Sequence, residues 1–246
     1  MLKGSLYEKI LEDSSEGVKK LAVLIDPDQV TREGLMKTIN LSVQYKIDYF
    51  FVGGSLIMED CLDFCLQMIK EHSDIPAVIF PGNDLQINEK ADAILYLSLI
   101  SGRNPDFLIG KHVVSAPLLA KTNIEVVSTG YMLIDSGAQT TASYISNTQP
   151  IPSNKPNIAI STAMAGELLG LKLIFMDGGS GAMNPVSKEM INAVKSKVNV
   201  PVIIGGGIRS KEKVKENFDA GADIVVIGNA IEKDAEIIKE IAGQRY

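Results

Sequence analysis

The sequence predicts an α/β protein with a single (β/α)8, TIM-like barrel that spans residues 1–246. Eight short apolar runs alternate with helical patterns along the chain, and this alternation is typical of a closed barrel of parallel strands. A length of 246 residues fits one such barrel, and no linker or change of composition indicates a second domain. An open doubly wound sheet is the alternative, but the GxGxxG turn that usually follows its first strand is absent.

Short apolar runs that end in glycine or proline are typical of buried parallel strands. The predicted strands are Leu21–Pro27, Tyr49–Ser55, Pro76–Gly82, Ala93–Ile100, Glu125–Asp135, Leu173–Gly179, Val202–Ile208 and Ile224–Ile231. Apolar residues at helical spacing predict helices between most of them. The predicted helices are Ser5–Asp13, Arg32–Tyr45, Met58–Glu71, Asn104–Leu119, Ile158–Leu169, Ser187–Lys197, Lys211–Ala220 and Asp234–Ala242. The first of these helices precedes strand one, so it could cap the bottom of the barrel.

The connection between the third and fourth predicted strands is unusually short. It consists of residues 83–92, which are too few for a full helix and two loops. We therefore expect the third helix to be stunted or missing, which would leave a gap in the outer ring of helices. An ordinary short helix whose ends the sequence pattern does not reveal is equally compatible. A gap there would open an apolar groove beside these strands, with Phe80, Leu95, Leu97 and Phe107 as lining candidates that could also be core.

A polar stretch with three prolines, residues 136–157, follows the fifth predicted strand. Active sites of barrels lie at the ends of the strands, so this stretch should sit near the site. A mobile loop over the site and a plain surface excursion are both compatible with its composition.

Composition and charge disfavour several kinds of partner. The net charge of −6 and pI of about 5.1 make nucleic acid an improbable ligand. The first residues lack the apolar core of a signal peptide, and no apolar run approaches the roughly 20 residues that cross a bilayer. We therefore expect a soluble cytoplasmic protein, which an amphiphilic substrate could still draw into transient contact with a membrane surface.

Several common catalytic arrangements are missing from the sequence. No lysine lies inside a predicted strand, which disfavours Schiff-base chemistry. Neither His72 nor His112 lies at a strand end, so no Ser-His-Asp or Cys-His arrangement is available. Cys61 and Cys65 share a helix face but lack two further zinc ligands, and we expect reduced, buried thiols.

Three glycine-rich turns in the last third of the chain each follow an apolar run. They are FMDGGSG at Phe175–Gly181, IGGGI at Ile204–Ile208 and IGN at Ile227–Asn229. Glycines let backbone N–H groups converge on an anion, and phosphate sites recur after strands seven and eight of barrels. Asp177 lies in the first turn, so the pattern predicts a phosphate pocket beside a proton acceptor.

Other strand ends carry polar groups that face the same side of the predicted barrel. Asp26, still on strand one, and Asp28 flank a proline and suit a hard cation such as Mg²⁺, although Asp28 alone could cap the helix that follows. Ser55, after two glycines, could be a cap or a contact to metal or phosphate. Tyr131 on strand five could point into the site or pack inside the barrel.

Taken in order, the motifs resemble those of geranylgeranylglyceryl phosphate synthases over most of the chain, from about Leu21 to Asp234. They are LIDPDQ, FVGGS, IFPG, GRNPDFLIGKHV, GYMLIDSG, FMDGGSGA, IIGGGIRS and VVIGNAIEKD. The resemblance implies a TIM-like barrel with an altered third helical position. It also implies an Mg²⁺-dependent prenyltransferase that joins sn-glycerol 1-phosphate to a long prenyl diphosphate, most simply geranylgeranyl diphosphate, in ether lipid biosynthesis. Related enzymes form dimers or larger rings, so a homo-oligomer is implied.

The resemblance also implies roles for individual residues. Asp26 and Ser55 would hold Mg²⁺, Asp177 would be catalytic, and Tyr131 would contact substrate. Glycerol phosphate would be bound by Phe175, Met176, Asp177, Gly178, Gly179, Ser180, Gly181, Gly206, Gly207, Gly228 and Asn229. The family usually has Tyr-Leu-Glu-Ala-Gly-Ser-Gly in the central motif, so Phe175 lacks a hydroxyl and Asp177 is one methylene shorter.

Two other functions fit the glycine turns. One is another phosphate-handling barrel enzyme, an isomerase or lyase, which would need no apolar groove and often no metal. The other is a barrel without catalytic activity that binds a phosphorylated ligand. The fold alone does not separate the three, because one barrel hosts many chemistries.

Overall fold

The computed structural model describes residues 5–55, 61–83 and 86–242. Eight parallel strands form a closed barrel in sequence order, in which β1 pairs with both β2 and β8. The strands are β1 Lys20–Ile25, β2 Tyr49–Val52, β3 Ala77–Ile79, β4 Ala93–Leu99, β5 Glu125–Leu133, β6 Leu173–Asp177, β7 Val202–Gly205 and β8 Ile224–Ile227. This architecture confirms the predicted fold class. The predicted strands ran too far at their carboxyl ends, because they included glycine turns that leave the sheet.

Helices surround the barrel at most of the predicted places. They are α1 Leu6–Ser15, α2 Arg32–Gln44, α3 Leu62–His72, α4 Lys111–Leu119, α5 Thr141–Ser146, α6 Pro156–Leu168, α7 Lys188–Lys195, α8 Lys211–Asp219, α9 Asn229–Lys233 and α10 Ile237–Ala242. A 3-10 turn, Pro27–Gln29, follows β1, and a π turn, Asp106–Gly110, precedes α4. The start of the helix predicted at Met58 lies outside the described residues. No described helix is long and apolar enough to cross a membrane.

The described part of the third connection, residues 80–83 and 86–92, contains no helix. Side-chain hydrogen bonds hold this part instead. The Gln86 side chain accepts from the backbone N–H of Gly82 at 3.0 Å, and both Asn88 and Lys90 donate to Asp63 of α3. The expected gap in the ring of helices is therefore present in the described residues.

The polar stretch after β5 is more ordered in structure than its composition suggested. Thr140 caps α5, since its hydroxyl accepts from the backbone N–H of Ser143 at 3.3 Å. Ile151 then forms an isolated parallel bridge with Ile134, just beyond the end of β5. The stretch therefore returns to the rim of the barrel.

Alternate residues of each strand face opposite sides of the barrel wall, as the two-residue period of a strand requires. On β6, Leu173 and Phe175 pack in the barrel interior, and Ile174 and Met176 pack between the wall and the helices. Asp177, two residues after Phe175, faces the barrel interior as Leu173 and Phe175 do, and it is buried. The interior layer continues around the barrel through Ala22, Tyr49, Phe51, Val78, Leu95, Val127, Ile203, Ile224 and Val226. The parity of β6 thus decides which of its side chains can reach a ligand.

Helix α1 closes the end of the barrel away from the glycine turns, as its position before β1 predicted. Ile10 of this helix packs into the interior layer. Glu125, at the start of β5, accepts hydrogen bonds from the Ser5 hydroxyl at 2.6 Å and from the backbone N–H groups of Leu6 and Tyr7 at 2.5 and 3.0 Å. One carboxylate thus satisfies the free donors at the start of α1 and anchors the helix to the barrel.

We expect Glu125→Gln to lower the free energy of unfolding by about 1–2 kcal/mol, because hydrogen bonds to a charged acceptor are replaced by weaker ones. The urea midpoint measured by circular dichroism would report the loss. Glu12→Gln is the matched control, since Glu12 only pairs with Lys9 on the exposed face of α1. Equal midpoints for the two variants would contradict the anchoring role of Glu125.

Candidate active site

A cavity of about 900 Å³ opens at the carboxyl ends of the strands. Side chains and glycines from β1, β2, β6, β7, β8 and the turns after them form its walls. Among the residues that line it are Asp26, Asp28, Ser55, Phe80, Phe175, Asp177, Gly179, Ser180, Gly181, Gly206, Gly207, Arg209, Gly228, Asn229, Glu232 and Lys233. The structure therefore brings most of the predicted site residues to one cavity.

Two glycines after β7 have backbone conformations that other residues rarely adopt. Gly206 and Gly207 have φ angles of +83° and +71°. A Cβ at Gly206 would lie 2.6 Å from both Asp177 Oδ1 and the backbone nitrogen of Gly178. Position 206 therefore requires glycine for its conformation and because the Asp177 carboxylate approaches the backbone closely.

The turns leave a set of backbone donors free at the cavity. The N–H groups of Ser180, Gly206 and Gly207 donate no hydrogen bond within the described residues, so they can bind an anion. Two other predicted contacts are already engaged: the Gly178 N–H donates to Gly205 O at 3.1 Å, and the Gly179 N–H donates to Asp177 Oδ1 at 2.7 Å. These two amides shape the turn, and their N–H groups are already engaged within the protein.

Asn229 connects two of the glycine turns. Its Oδ1 accepts from the Gly181 N–H at 3.3 Å, and its Nδ2 donates to the Ser180 hydroxyl at 3.3 Å and to Glu232 Oε2 at 3.1 Å. The turn after β6 is therefore tied to the turn after β8. Both line the same cavity, so this contact keeps the amides of the two turns together.

Asp177 is the buried acid of the site, with 7% of its surface exposed. Its Oδ2 accepts a hydrogen bond of 2.5 Å from the Tyr131 hydroxyl, and its Oδ1 accepts from Gly179. Burial raises the pKa of Asp177, and the two hydrogen bonds oppose that rise because they favour the charged form. Burial, followed by the charge of Asp177, raises the pKa of Tyr131 well above 10, so the phenol remains a donor.

Three aromatic rings pack beside this acid. Phe80 stacks on Phe175 with ring centroids 5.1 Å apart, and Tyr131 meets Phe80 and Phe175 edge-on at 5.8 and 5.5 Å. Tyr131 therefore does both of the things that its sequence left open: it packs inside the barrel and it directs its hydroxyl into the site. Phe175 lines the cavity as a ring without a hydroxyl.

The Met176 side chain is the clear exception among the predicted contacts. It is fully buried between the barrel wall and the outer helices, with the other outward-facing residues of its strand. The expectation that this side chain contacts substrate is corrected by strand parity, since its neighbours Phe175 and Asp177 take the inward positions.

The acidic turn after β1 faces the same cavity. Asp26 Oδ1 accepts from the backbone N–H of Asp28 at 3.1 Å, so Asp26 caps the 3-10 turn as well as lining the cavity. A Cβ at Gly54 would lie 3.0 Å from Asp26 Oδ1, so the backbone after β2 passes close to this carboxylate, and Ser55 lines the same cavity. Burial and the charge of Asp28 raise the pKa of Asp26, although the hydrogen bond from Asp28 opposes them.

Three charged residues of the cavity were not assigned from the sequence. Glu232 lies near Asp26, and burial and then the charge of Asp26 raise its pKa. Arg209 and Lys233 add positive charge, and Arg209 Nη2 donates to the Ala182 carbonyl at 2.8 Å across two turns. All three lie within the IIGGGIRS and VVIGNAIEKD motifs, a few residues after the glycines of these motifs.

A second, apolar cavity of about 100 Å³ lies beside the gap left by the third helix. Phe80, Leu97 and Phe107 line it as expected, whereas Leu95 is fully buried in the barrel interior. Its remaining walls include Ile87, Ile94, Tyr96, Leu99, Lys111, His112, Leu119, Tyr131, Leu133, Ala142 and Ile145. Gly54, Ser55 and Phe80 belong to both cavities, so the apolar groove adjoins the polar cavity.

These features define a (β/α)8-barrel protein with an amide-lined anion pocket, a buried carboxylate and an adjoining apolar groove. Comparison with known sequences identifies the family. The chain belongs to the PcrB family, whose sequence profile matches residues 16–244.

Similar proteins cover nearly the whole chain. A geranylgeranylglyceryl phosphate synthase of Chitinophaga pinensis is 54% identical over 237 residues, which are 96% of this chain and 94% of that protein. The enzyme of the same name from Thermococcus gammatolerans is 39% identical over 97% of this chain and 94% of its own length. Among solved structures, (S)-3-O-geranylgeranylglyceryl phosphate synthase from Thermoplasma acidophilum, in complex with its substrate sn-glycerol-1-phosphate, superposes with a TM-score of 0.91. That pair is 29% identical, and the match covers 98% of this chain and 96% of the other.

We expect Gly206→Ala to weaken binding of inorganic phosphate by at least about tenfold, because the new Cβ would displace Asp177 and the free amides beside it. Isothermal titration calorimetry would measure the dissociation constant. Gly170→Ala is the matched control: Gly170 has a φ of +84°, no atom lies within 4 Å of its Cβ position, and it is remote from the cavity. Binding by Gly206→Ala that is as tight as binding by Gly170→Ala would contradict the predicted role of position 206.

Proposed function

We propose that this protein is a prenyltransferase that joins sn-glycerol 1-phosphate to a long-chain prenyl diphosphate, most simply geranylgeranyl diphosphate. One observation carries the proposal: a polar, amide-lined cavity and an apolar groove meet at Phe80, beside a buried carboxylate. Two substrates of opposite character can thus be held with their reactive ends together. The names of the relatives support the same reaction.

In this reaction the free amides of the glycine turns bind the phosphate of glycerol phosphate, and Arg209 and Lys233 supply positive charge. The terminal hydroxyl of the glycerol moiety, one of its two free hydroxyls, points towards Asp177. The carboxylate accepts the hydroxyl proton as the oxygen forms an ether bond to the allylic carbon, and the bond from that carbon to the diphosphate breaks. Holding both reactants in one geometry accounts for much of the rate enhancement.

The prenyl tail occupies the apolar groove. A volume of about 100 Å³ is smaller than the roughly 300–1,000 Å³ of typical ligand pockets, so the groove must widen when the tail enters. The π turn before α4 is a suitable place for this change, because such turns are irregular and frequent at functional sites. Phe107 in this turn lines the groove, and the Lys111 ammonium lies 4.2 Å from the centre of its ring.

Asp26 and Ser55 are suited to hold the proposed Mg²⁺. Both line the same cavity, and a carboxylate and a hydroxyl are suitable ligands for Mg²⁺, which binds one or two protein oxygens and takes its other ligands from phosphates and water. The nearby charges of Asp28 and Glu232 also favour a cation. The ion would neutralise negative charge on the diphosphate group. Asp26 and Ser55 themselves orient that end of the donor between the two cavities.

An isomerase or lyase of a phosphorylated metabolite would bind its substrate in the amide-lined cavity and would bind nothing in the apolar groove. The groove and the relatives therefore favour prenyl transfer over that alternative. The preferred tail length and a homo-oligomeric state stay predictions.

The direct test is to incubate the purified protein with sn-glycerol 1-phosphate, Mg²⁺ and a series of C15 to C35 prenyl diphosphates. Mass spectrometry would detect a prenylglyceryl phosphate and show the preferred tail. Absence of product with every tail would contradict the proposal, and binding of glycerol phosphate alone would then favour a barrel without this activity.

We expect Asp177→Asn to lower kcat by about 100-fold or more, because removal of a general base typically costs 10²–10⁴-fold. The dissociation constant of glycerol phosphate should change far less, since the amide donors remain. Steady-state kinetics and calorimetry measure the two effects. Asp135→Asn, a change at an exposed aspartate just beyond β5, should retain wild-type turnover. Wild-type turnover in Asp177→Asn would remove Asp177 from the chemistry.

We expect Asp26→Asn to raise the Mg²⁺ concentration for half-maximal turnover by at least about tenfold and to lower the maximum. Asparagine still caps the 3-10 turn, so the change removes charge while retaining the local structure. Titration of turnover with Mg²⁺ measures the effect, and Asp74→Asn on the exposed surface is the control. An unchanged metal titration would contradict the ligand role of Asp26.

A further inference from the structure

The shortest side-chain contact in the site joins Tyr131 to Asp177. The phenol oxygen lies 2.5 Å from Asp177 Oδ2, and both residues are less than 9% exposed. They come from neighbouring strands, β5 and β6, where Tyr131 pairs in register with Phe175. The ladder between the strands and the three packed rings leave the phenol little freedom to turn away.

This hydrogen bond spans the boundary between the two cavities. Tyr131 lines the apolar groove, Asp177 lines the polar cavity, and Phe80, which packs on the ring of Tyr131, lines both. A hydroxyl held by the polar cavity and a carbon held by the groove would meet at this boundary. The acid that accepts the proton is therefore oriented by a residue on the donor side.

We infer that Tyr131 is a positioning residue for Asp177: its hydroxyl holds Oδ2 so that the carboxylate is oriented and charged where the two substrates meet. This inference rests on the proposed function. The other oxygen, Oδ1, is held by Gly179 and lies against Gly206. Both oxygens are thus restrained, and Tyr131 provides the only side-chain donor to Asp177 in the described residues.

Loss of the Tyr131 hydroxyl has a definite electrostatic sign. A hydrogen bond to the ionised carboxylate favours that form, so its removal raises the pKa of Asp177 further above the ordinary value. A base acts only when ionised, so the acid limb of the rate profile should move to higher pH. The other charged groups of the cavity are Asp26, Asp28, Glu232, Arg209 and Lys233. Tyr131→Phe leaves all five of these side chains unchanged.

The test compares wild type, Tyr131→Phe and Thr129→Val in kcat/KM for glycerol phosphate between pH 5 and 9. Phenylalanine preserves the packed rings and removes only the hydroxyl. Thr129→Val is the matched control, because Thr129 is a fully buried residue of the same strand whose hydroxyl donates to the Val127 carbonyl at 3.0 Å. We expect the acid limb to move upward by about one pH unit in Tyr131→Phe and to stay in place in Thr129→Val.

A lower rate in Tyr131→Phe with an unmoved acid limb would overturn the inference, because a purely structural loss would lower the rate at every pH. Should that variant be too slow to assay, the pKa of the Asp177 carboxyl can be read by 13C NMR, with Asp177→Asn to assign the signal. An equal pKa in wild type and Tyr131→Phe would overturn the inference as well. Failure of the proposed function is distinguishable, since wild type itself would then form no product.

Discussion

The structure depends on closure of the barrel by pairing of β1 with β8. Closure gives every strand two neighbours and one interior face, so strand parity becomes a fixed property of the whole ring. On β5 and β6 that parity directs Tyr131 and Phe175 inward at one level and Asp177 inward at the next. A shift of one residue in β6 would turn Asp177 into the helix layer and bring Met176 into the site, and a shift of one residue in β5 would turn Tyr131 away from it. The position of the buried carboxylate is therefore a consequence of sheet register.

Glycine makes this arrangement compatible with a carboxylate so deep in the barrel. The backbone after β7 runs so close to Asp177 that a methyl group at Gly206 would overlap Oδ1. A similar close approach occurs on the other side of the cavity, where a Cβ at Gly53 would lie 2.0 Å from the Phe80 carbonyl. At both positions glycine is required because a group of the neighbouring strand end, the Asp177 carboxylate or the Phe80 carbonyl, lies where a Cβ would be. The glycine-rich turns serve the packing of the acid as well as the binding of an anion.

Much of this organisation could be predicted from the sequence, and the exceptions have a common cause. The eight strands, the short third connection and Asp177 follow from local patterns that the chain displays directly. The directions of Tyr131 and Met176 do not, because strands buried on both faces carry apolar residues at every position and conceal their parity. The sequence did not reveal three charged residues of the cavity, Glu232, Arg209 and Lys233, for another reason. Their place in the cavity depends on the path of the turns beyond the glycines, and the spacing of apolar residues does not predict the path of a turn.

The charges of the site constrain the proposed chemistry further. Four carboxylates line the cavity, from Asp26, Asp28, Asp177 and Glu232, and two cationic side chains, Arg209 and Lys233, line it with them. Two phosphorylated substrates would add more negative charge to a surface that is already acidic. Free backbone amides offset part of this charge, since they offer partial positive charge without a counterion. The charges of Asp28 and Glu232 both act on Asp26, and this is why the proposed divalent cation is placed at this carboxylate. Within the described residues, Asp177 accepts hydrogen bonds from Tyr131 and Gly179, and these two hydrogen bonds favour its charged form against the effect of burial.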